Sequence, residues 1–271
     1  MIWLRMTWPR KIALLFLLAV ATCALLAPRI APYPYERQFR ESIDAPPSAQ
    51  FPLGTDSVGR DRLSRLLYAT QVSVFLAPGA AFVSVAIALL IACLAAGGAV
   101  ARRVVAGLTT LCLSLPWIFL FIILRAELPL DTAPLVSVVL TFALMGVAGW
   151  PWPARIFTAS AGQLAQSGFV LHARACGLGS WRIAAVHFWP HLRDLALAQF
   201  RALVPAYMLS EASLGLLGLG VADPLPSWGG MLQDLRHPDL IRANPLVLAP
   251  LILLILVMLC LENLRTPEIV V

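Results

Sequence analysis

The sequence predicts an all-α, polytopic membrane protein with six transmembrane helices, and three observations carry that prediction. The 271-residue chain is 60% hydrophobic and only 13% charged, with a mean hydropathy of +0.83. A soluble domain of this length cannot hide so much apolar surface. Five nearly uncharged runs stand at residues 12–28, 72–101, 104–124, 132–154 and 243–261, and a sixth at 195–222 is apolar apart from Arg201 and Glu211. Each is about as long as the roughly 17–25 residues that cross a ~30 Å hydrocarbon core. Finally, the Lys and Arg of the shorter loops fall on one side: Arg5, Arg10 and Lys11, then Arg102 and Arg103, then Arg155, Arg174, Arg182 and Arg193. That side is cytoplasmic by the positive-inside rule, with both termini inside. Residues 28–71 carry six Arg on the opposite side, matched there by Glu36, Glu41, Asp44, Asp56 and Asp61.

The first run follows three basic residues and has the form of a signal peptide. Pro28 and Arg29 suit cleavage poorly, however, and further spans follow, so an uncleaved first helix is expected. Residues 28–52 are rich in Pro and charge and read as an extended extracytoplasmic loop. The stretch LGTDSVGRDRLSRLLYATQVS follows at 53–73. Gly54 permits a tight turn there, and Thr55 or Asp56 is placed to cap a helix. Asp61 and Arg65 fall at i,i+4 and are expected to pair, with Leu63, Leu66 and Leu67 on the other face. The reading is an amphipathic helix at the membrane surface that feeds the second span.

Pro78, Pro116, Pro205 and Pro250 lie inside expected spans, where each frees a carbonyl that neighbours must satisfy. They either shape a pathway or are static kinks. GWPWPAR at 149–155 places two Trp at a membrane interface. Between the fourth and fifth spans lies the polar segment 167–193, SGFVLHARACGLGSWRIAAVHFWPHLR. A Gly at 177 and a Pro at 190 suit a short helix, a Gly break and a second short helix ending at Pro190. Outside the bilayer, such a segment is a docking knob for a soluble partner. The small residues of SEASLGLLGLG (210–220) allow close helix packing. That helix is expected to stop at Gly220, before a turn at DPLPSWGG.

Several chemistries are excluded. The only lysine is Lys11, so no GxxxxGK[ST] phosphate loop exists and the chain is not itself a P-loop ATPase. No HExxH and no GxSxG occurs. His187 and His191 stand at i,i+4, but Pro190 lies between them, and a structural or interfacial role is the simpler reading than a metal site. The five cysteines are scattered without a CxxC pair and read as packing residues. No catalytic residue and no metal ligand are assigned. The basic balance needs no nucleic acid, because it follows from cytoplasmic anchoring charge. Of the intramembrane ions, Asp194 and Arg201 share a helix face and either pair or leave Arg201 to snorkel to the cytoplasmic interface, and Arg125, Glu127 and Asp131 cluster near the outer end of the third span. Glu211 has two readings: it hydrogen-bonds backbone and holds the turn before DPLPSWGG, or it lines a pathway and touches solute.

The motifs together resemble the inner-membrane permease subunits of bacterial ABC importers of the dipeptide/oligopeptide/nickel type, and specifically the second permease of the pair. Leu53, Gly54, Thr55, Asp56, Gly59, Arg60, Asp61, Ser64, Arg65 and Leu66 match its LGTDxxGRDxxSRL signature. Gly149, Trp150, Pro151, Ala154 and Arg155 resemble its GWPxyAR, and Ala173, Arg174, Ala175, Gly177 and Pro190 its ATPase-coupling loop. EASLGLLGLG at 211–220 and PSWG at 226–229, with Trp228, resemble EASLSFLGLG and P-x-WG, and Leu264 and Arg265 its closing GDxLRD. The resemblance covers residues from about 50 to 266 in the right order. One departure is evident: the coupling loop reads AQSGFVLHARACG, and the family's acids are replaced by Gln166, Ser167, Gly168 and Leu171.

The resemblance implies an N-terminal helix, extracytoplasmic loop and amphipathic helix over 1–71 and a permease domain over 72–271. It implies a cytoplasmic coupling helix between spans 4 and 5, in a multi-pass protein of the bacterial inner membrane. The implied partners are a homologous permease, two cytoplasmic P-loop ATPases that bind the ATP, an extracytoplasmic solute-binding protein and membrane lipid. This chain then needs no cofactor of its own and transports peptides or a related small solute by alternating access. The alternatives are a degenerate scaffold without transport and a proton-coupled carrier, which would want several buried acids where only Glu211 qualifies.

Overall fold

The computed structural model of the protein describes residues 7–96, 98–116, 119, 123 and 133–265. Eight principal helices follow one another: α1 (Trp8–Leu25), α2 (Arg62–Ala95), α3 (Ala99–Ser114), α4 (Pro134–Ala148), α5 (Pro151–Ala165), α6 (Gly168–Ala175), α7 (Trp189–Leu216) and α8 (Ala249–Arg265). Among the described residues there is no strand, only the isolated antiparallel bridges Gln38–Arg60 and Thr55–Asp61. Four helical stretches among these residues are long and apolar enough to cross a membrane: Trp8–Leu25, Arg62–Ala95, Pro134–Ala165 and Pro245–Arg265. The expected third span is a continuous helix to Ser114, with Phe119 and Ile123 also helical, and Arg125, Glu127 and Asp131 lie outside the described residues. The expected fifth span is helical within α7 but too polar along its length to join the four, since Arg193, Asp194, Gln199, Arg201 and Glu211 all fall on it.

The described residues form two compact units. Of the described residues, the first gathers 7–77, 133–142 and 205–265, and the second 78–96, 98–116, 119, 123 and 143–204. The chain changes unit at Pro78 within α2 and at Pro205 within α7. Only these two of the four expected intraspan prolines lie in helix interiors. Pro116 follows the end of α3, and Pro250 stands in the first turn of α8, where a missing N–H costs nothing.

In the first unit α1 packs along α8. The Pro-rich segment before α2 is no extended loop. Phe51 is buried, and its ring packs at 5.0 Å from Phe39 and 5.9 Å from Tyr33. The Arg37 guanidinium lies over Tyr33 and Phe39 at 5.4 and 4.9 Å. Nor is there a separate surface helix. Helix α2 runs from Arg62 to Ala95 without a break, and its polar first turn is buried. The turn at 53–60 folds back over that end, so the residues that looked like a solvent-facing polar face meet protein instead.

The second unit is built on small residues. The Ser84 hydroxyl donates to the Gly146 carbonyl at 2.5 Å, and a Cβ at Gly146 would stand 3.1 Å from the Ala80 carbonyl. Such close approach lets α2 and α4 pack without large side chains. Val85, Ala88 and Ala92 of α2 enclose Ala154 and Phe157 of α5, with Trp150, Leu195 and Phe200 packed around them.

Candidate functional site

Two groups of candidate residues are described in turn, one within each unit.

In the first unit the signature motif folds into a turn held by its own polar groups. Gly54 and Gly59 both adopt positive φ, 75° and 78°. The buried Asp56 carboxylate closes the turn: its Oδ1 accepts from the Val58 and Arg60 N–H groups at 3.0 and 2.8 Å. Its Oδ2 accepts from Arg60 Nε at 2.7 Å and stands 3.6 Å from Arg65 Nε. The cap of α2 is Asp61 rather than Thr55 or Asp56. Asp61 Oδ2 accepts from the Ser64 N–H at 2.8 Å and from the Ser64 hydroxyl at 2.6 Å, which satisfies an orphan donor of the first turn. Thr55 instead receives the Ala45 N–H at 2.8 Å and donates to the Ser42 carbonyl, tying the preceding loop down.

The expected Asp61–Arg65 pair does not form. With Asp61 committed to the cap, Arg65 turns to Asp56 and to Asp223, whose Oδ1 lies 3.3 Å from Arg65 Nη2 and 3.1 Å from Arg60 Nη1. Arg62 donates to the Thr55 carbonyl at 2.8 Å and pairs with Asp234. Three buried arginines of the motif are thus bound to acids about 160 residues away along the chain. Sequence reasoning missed Arg62, Asp223 and Asp234. The available signal was the excess of Arg over acid in RDRLSR, which demands partners elsewhere, and DPLPSWGG and LQDLR supply them.

Glu211 lies near the end of α7 and is fully buried, 0% exposed. Its Oε2 accepts from the Gly229 N–H at 3.3 Å and from the Ser73 hydroxyl at 3.4 Å. A side chain at Gly229 would come within 2.5 Å of the Glu211 carbonyl oxygen, and one at Gly215 would run into Gly229 itself. The backbones therefore meet directly, and only glycine at these two points permits it. Trp228, also 0% exposed, donates its indole N–H to Thr70 at 3.1 Å, and Ser227 caps its short helix by accepting from the Gly230 N–H at 3.1 Å. Glu211 thus bonds backbone at the DPLPSWGG turn. Helix α7 stops earlier than Gly220: Gly218 takes φ 79°, and Leu219 N–H returns to the Leu214 carbonyl at 2.8 Å.

In the second unit the segment after α5 is a compact hairpin. Helix α6 ends in a Schellman turn, with Gly177 at φ 77°. The Leu178 N–H bonds the Ala173 carbonyl at 3.1 Å and the Gly177 N–H bonds the Arg174 carbonyl at 2.9 Å. A Cβ in this left-handed conformation costs roughly 1–2 kcal/mol. Val170, Ala173 and Ile183 form a small core with Leu178 and Phe188. Arg174, Ala175, Phe169, Leu171 and Trp181 face outward, Trp181 at 84% exposure. The second short helix does not end at Pro190. Ser180–Ile183 passes through a π-turn over Ala184–Phe188 straight into α7, and Pro190 stands in that helix's first turn. The wider π-turn shifts the hydrogen-bond register, and the proline has no N–H to place in it. Asp194 pairs with neighbouring Arg193 at 3.2 Å rather than with Arg201.

The buried network and Glu211 of the first unit each yield a stability prediction, with the exposed Arg193 pair of the second unit as the reference. Asp56→Asn leaves Arg60 and Arg65 with Asp223 as their remaining full charge, and breaking such a buried pair costs about 3–5 kcal/mol. Arg193→Ala, at an exposed pair, costs under about 0.5 kcal/mol. Thermal melts of the detergent-purified protein should separate the two widely; equal melting temperatures would show that the network is not needed for the fold. Glu211→Gln keeps an oxygen for the Gly229 N–H and should melt within about 1 kcal/mol of the parent, whereas Glu211→Leu strands that donor at ~1–3 kcal/mol. A Gln variant as unstable as the Leu variant would contradict the backbone-bonding role.

Comparison with known proteins places this geometry in a family. Residues 84–266 match the model of the binding-protein-dependent transport system inner membrane component. The chain is 32% identical over 235 residues to the di/tripeptide transport system permease protein DppC of Pseudomonas aeruginosa (strain UCBPP-PA14), covering 82% of this chain and 74% of that protein. It is 30% identical over 263 residues to the dipeptide transport system permease protein DppC of Haemophilus influenzae, covering 91% and 84%. It is 29% identical over 251 residues to the glutathione transport system permease protein GsiD of Pectobacterium atrosepticum, covering 90% and 80%. The matched stretch holds the C-terminal third of α2, all of α3–α8, the Gly177 hairpin and the Glu211–Gly229 contact. This chain belongs to the binding-protein-dependent transport system inner membrane component family and is a transport permease.

Proposed function

We propose that this permease is one of two homologous permease subunits of an ATP-driven importer of short peptides in a bacterial inner membrane. Relatives named for di- and tripeptide, dipeptide and glutathione transport support the substrate class. The six-span reading adds α3 and α7 to the four apolar stretches, with both termini and the 155–194 loop in the cytoplasm and residues 30–70 outside. Two cytoplasmic ATPases bind and hydrolyse the ATP, and an extracytoplasmic binding protein delivers the solute. The chain contributes the path and the coupling element, and it performs no covalent chemistry.

The observation that carries the coupling reading is the Gly177 hairpin. It packs on its own small core yet turns Phe169, Leu171 and Trp181 outward. A segment that spends apolar area on solvent in this way suits a partner's groove. The same surface accounts for the missing acids: Leu171 and its neighbours offer apolar burial where relatives of the resembled type carry charge. ATP-driven closure of the ATPases then pushes the hairpin, and because α7 continues directly from it through the π-turn, the push enters a membrane helix without an intervening loop. Arg174, Ala175 and Gly177 sit at the exposed end of this element, and Ala173 and Pro190 set its shape.

Two experiments test the proposal. A cysteine introduced at Ser48 should be labelled by an impermeant thiol reagent from outside intact cells, while one at Arg182 should be protected; the reverse pattern inverts the topology. In the reconstituted transporter, Gly177→Val and Trp181→Ala should insert normally but lose ATPase co-purification or peptide-stimulated ATP hydrolysis by about tenfold, the size of a modest interface contact. Full coupling in both variants would remove this hairpin from the ATPase interface.

A further inference from the structure

The arginine network of the first unit holds one member loosely. Asp56 meets Arg60 at 2.7 Å, within the short range of charge-assisted hydrogen bonds. Asp223 reaches Arg60 and Arg65 at 3.1 and 3.3 Å, and it does so through a single oxygen, Oδ1, shared between two guanidinium groups. The burial is as uneven as the distances. The two arginine side chains are about 10% exposed, while that of Asp223 is 73% exposed. Arginine stays charged at every accessible pH, so the pair requires a carboxylate at this point. Asp56 alone carries one charge against two. The carboxylate that completes the balance is therefore the one that water and solute reach.

Beside it lies a cavity of about 140 Å³, walled by polar groups that include Ser57, Ser227 and Gln233 as well as Arg60, Arg65 and Asp223. Little apolar surface lines it, so it does not select a hydrophobic side chain. It has room for a carboxylate and the amide next to it. A free carboxylate entering there offers one oxygen to each guanidinium, a two-point arrangement that Asp223 does not achieve.

From this juxtaposition, and resting on the peptide-import reading, we propose that Arg60 and Arg65 form a carboxylate-binding site for the C-terminal carboxylate of the transported peptide, with Asp223 as the resident group it displaces. Asp223 then serves two states. It keeps the arginines neutralised when no peptide is present, and it swings into solvent when one arrives. Because Asp223 is already 73% exposed, its carboxylate gains little hydration on release and loses little on return, so the exchange is close to balanced and the site is reversible. A permease must bind weakly enough to let its solute go, and a built-in competitor achieves that.

The test uses the assembled transporter, permease pair with ATPases, purified without its binding protein. Thermal shifts are measured with a dipeptide and with the same dipeptide amidated at its C-terminus, for the parent and for Asp223→Ala. The free acid should raise the melting temperature of both in a saturable way, half-saturating at about tenfold lower concentration in Asp223→Ala, where the competitor is gone. The amide should shift neither. Equal shifts from acid and amide, or none from the acid, overturn the proposal. So does stabilisation of Asp223→Ala by the binding protein alone with no response to peptide, which would assign the arginines to an acidic side chain of that partner. If Asp223→Ala does not accumulate, Asp223→Asn carries the same comparison, since it keeps a hydrogen-bonding oxygen and removes the charge. Peptide-stimulated uptake by the complete parent transporter is measured separately: its absence counts against the import reading, whereas the acid–amide comparison is a binding measurement and fails or succeeds without it.

Discussion

Three buried guanidinium groups, those of Arg60, Arg62 and Arg65, set the terms for the first unit. Taking a charge out of water is tolerable only where a partner and further hydrogen bonds replace the hydration. Here the partners come from two distant parts of the chain. Asp56 lies in the same turn, whereas Asp223 and Asp234 lie beyond α7. The motif turn, the start of α2 and the segment 221–234 are consequently joined by charge pairs that replace the hydration of buried arginines. The division of labour among the acids follows from geometry. Asp61 is bound to the helix cap, so Arg65 must look elsewhere.

Close backbone approach fixes the neighbouring region. Gly215 and Gly229 let the end of α7 meet the chain around Trp228 without intervening side chains, and Glu211 bonds the Gly229 N–H across the contact. The carboxylate, the buried indole on Thr70 and the Ser227 cap all secure the same short helix, Trp228–Met231. This short helix is followed within three residues by Asp234, the partner of Arg62. The Glu211 contact and the arginine network thus hold opposite ends of a single connection.

The Gly177 hairpin takes its shape from local features that need no charged side chain. Its shape depends on the Schellman turn, the small core of Val170, Ala173 and Ile183, and the π-turn into α7, none of which requires an acid. The outward positions are free to differ, and here they are apolar and aromatic.

The permease reading came from the resemblance of the motifs to a known family. Hydropathy was enough to read a membrane protein from sequence, because it depends on composition and local spacing alone. The Gly177 break was legible for the same reason: a left-handed turn is a local demand that glycine answers. For Glu211 the sequence left two readings, backbone bonding or a pathway, and the tertiary contact with the Gly229 N–H is what shows the backbone bond. What spacing could not decide was which residues meet across the chain. Asp61 and Arg65 stand at the right interval for a surface pair, yet Asp61 caps a helix and Arg65 crosses to Asp223, 158 residues away. The amphipathic pattern of 53–73 was real, but its polar face is buried against protein rather than water, and periodicity reads the same in both cases. Pro190 looked like a helix end and is instead absorbed by a π-turn, a register shift that follows from the packing of the hairpin. Local rules act through neighbours in sequence; charge pairing and burial act through neighbours in space, and only the tertiary structure names those.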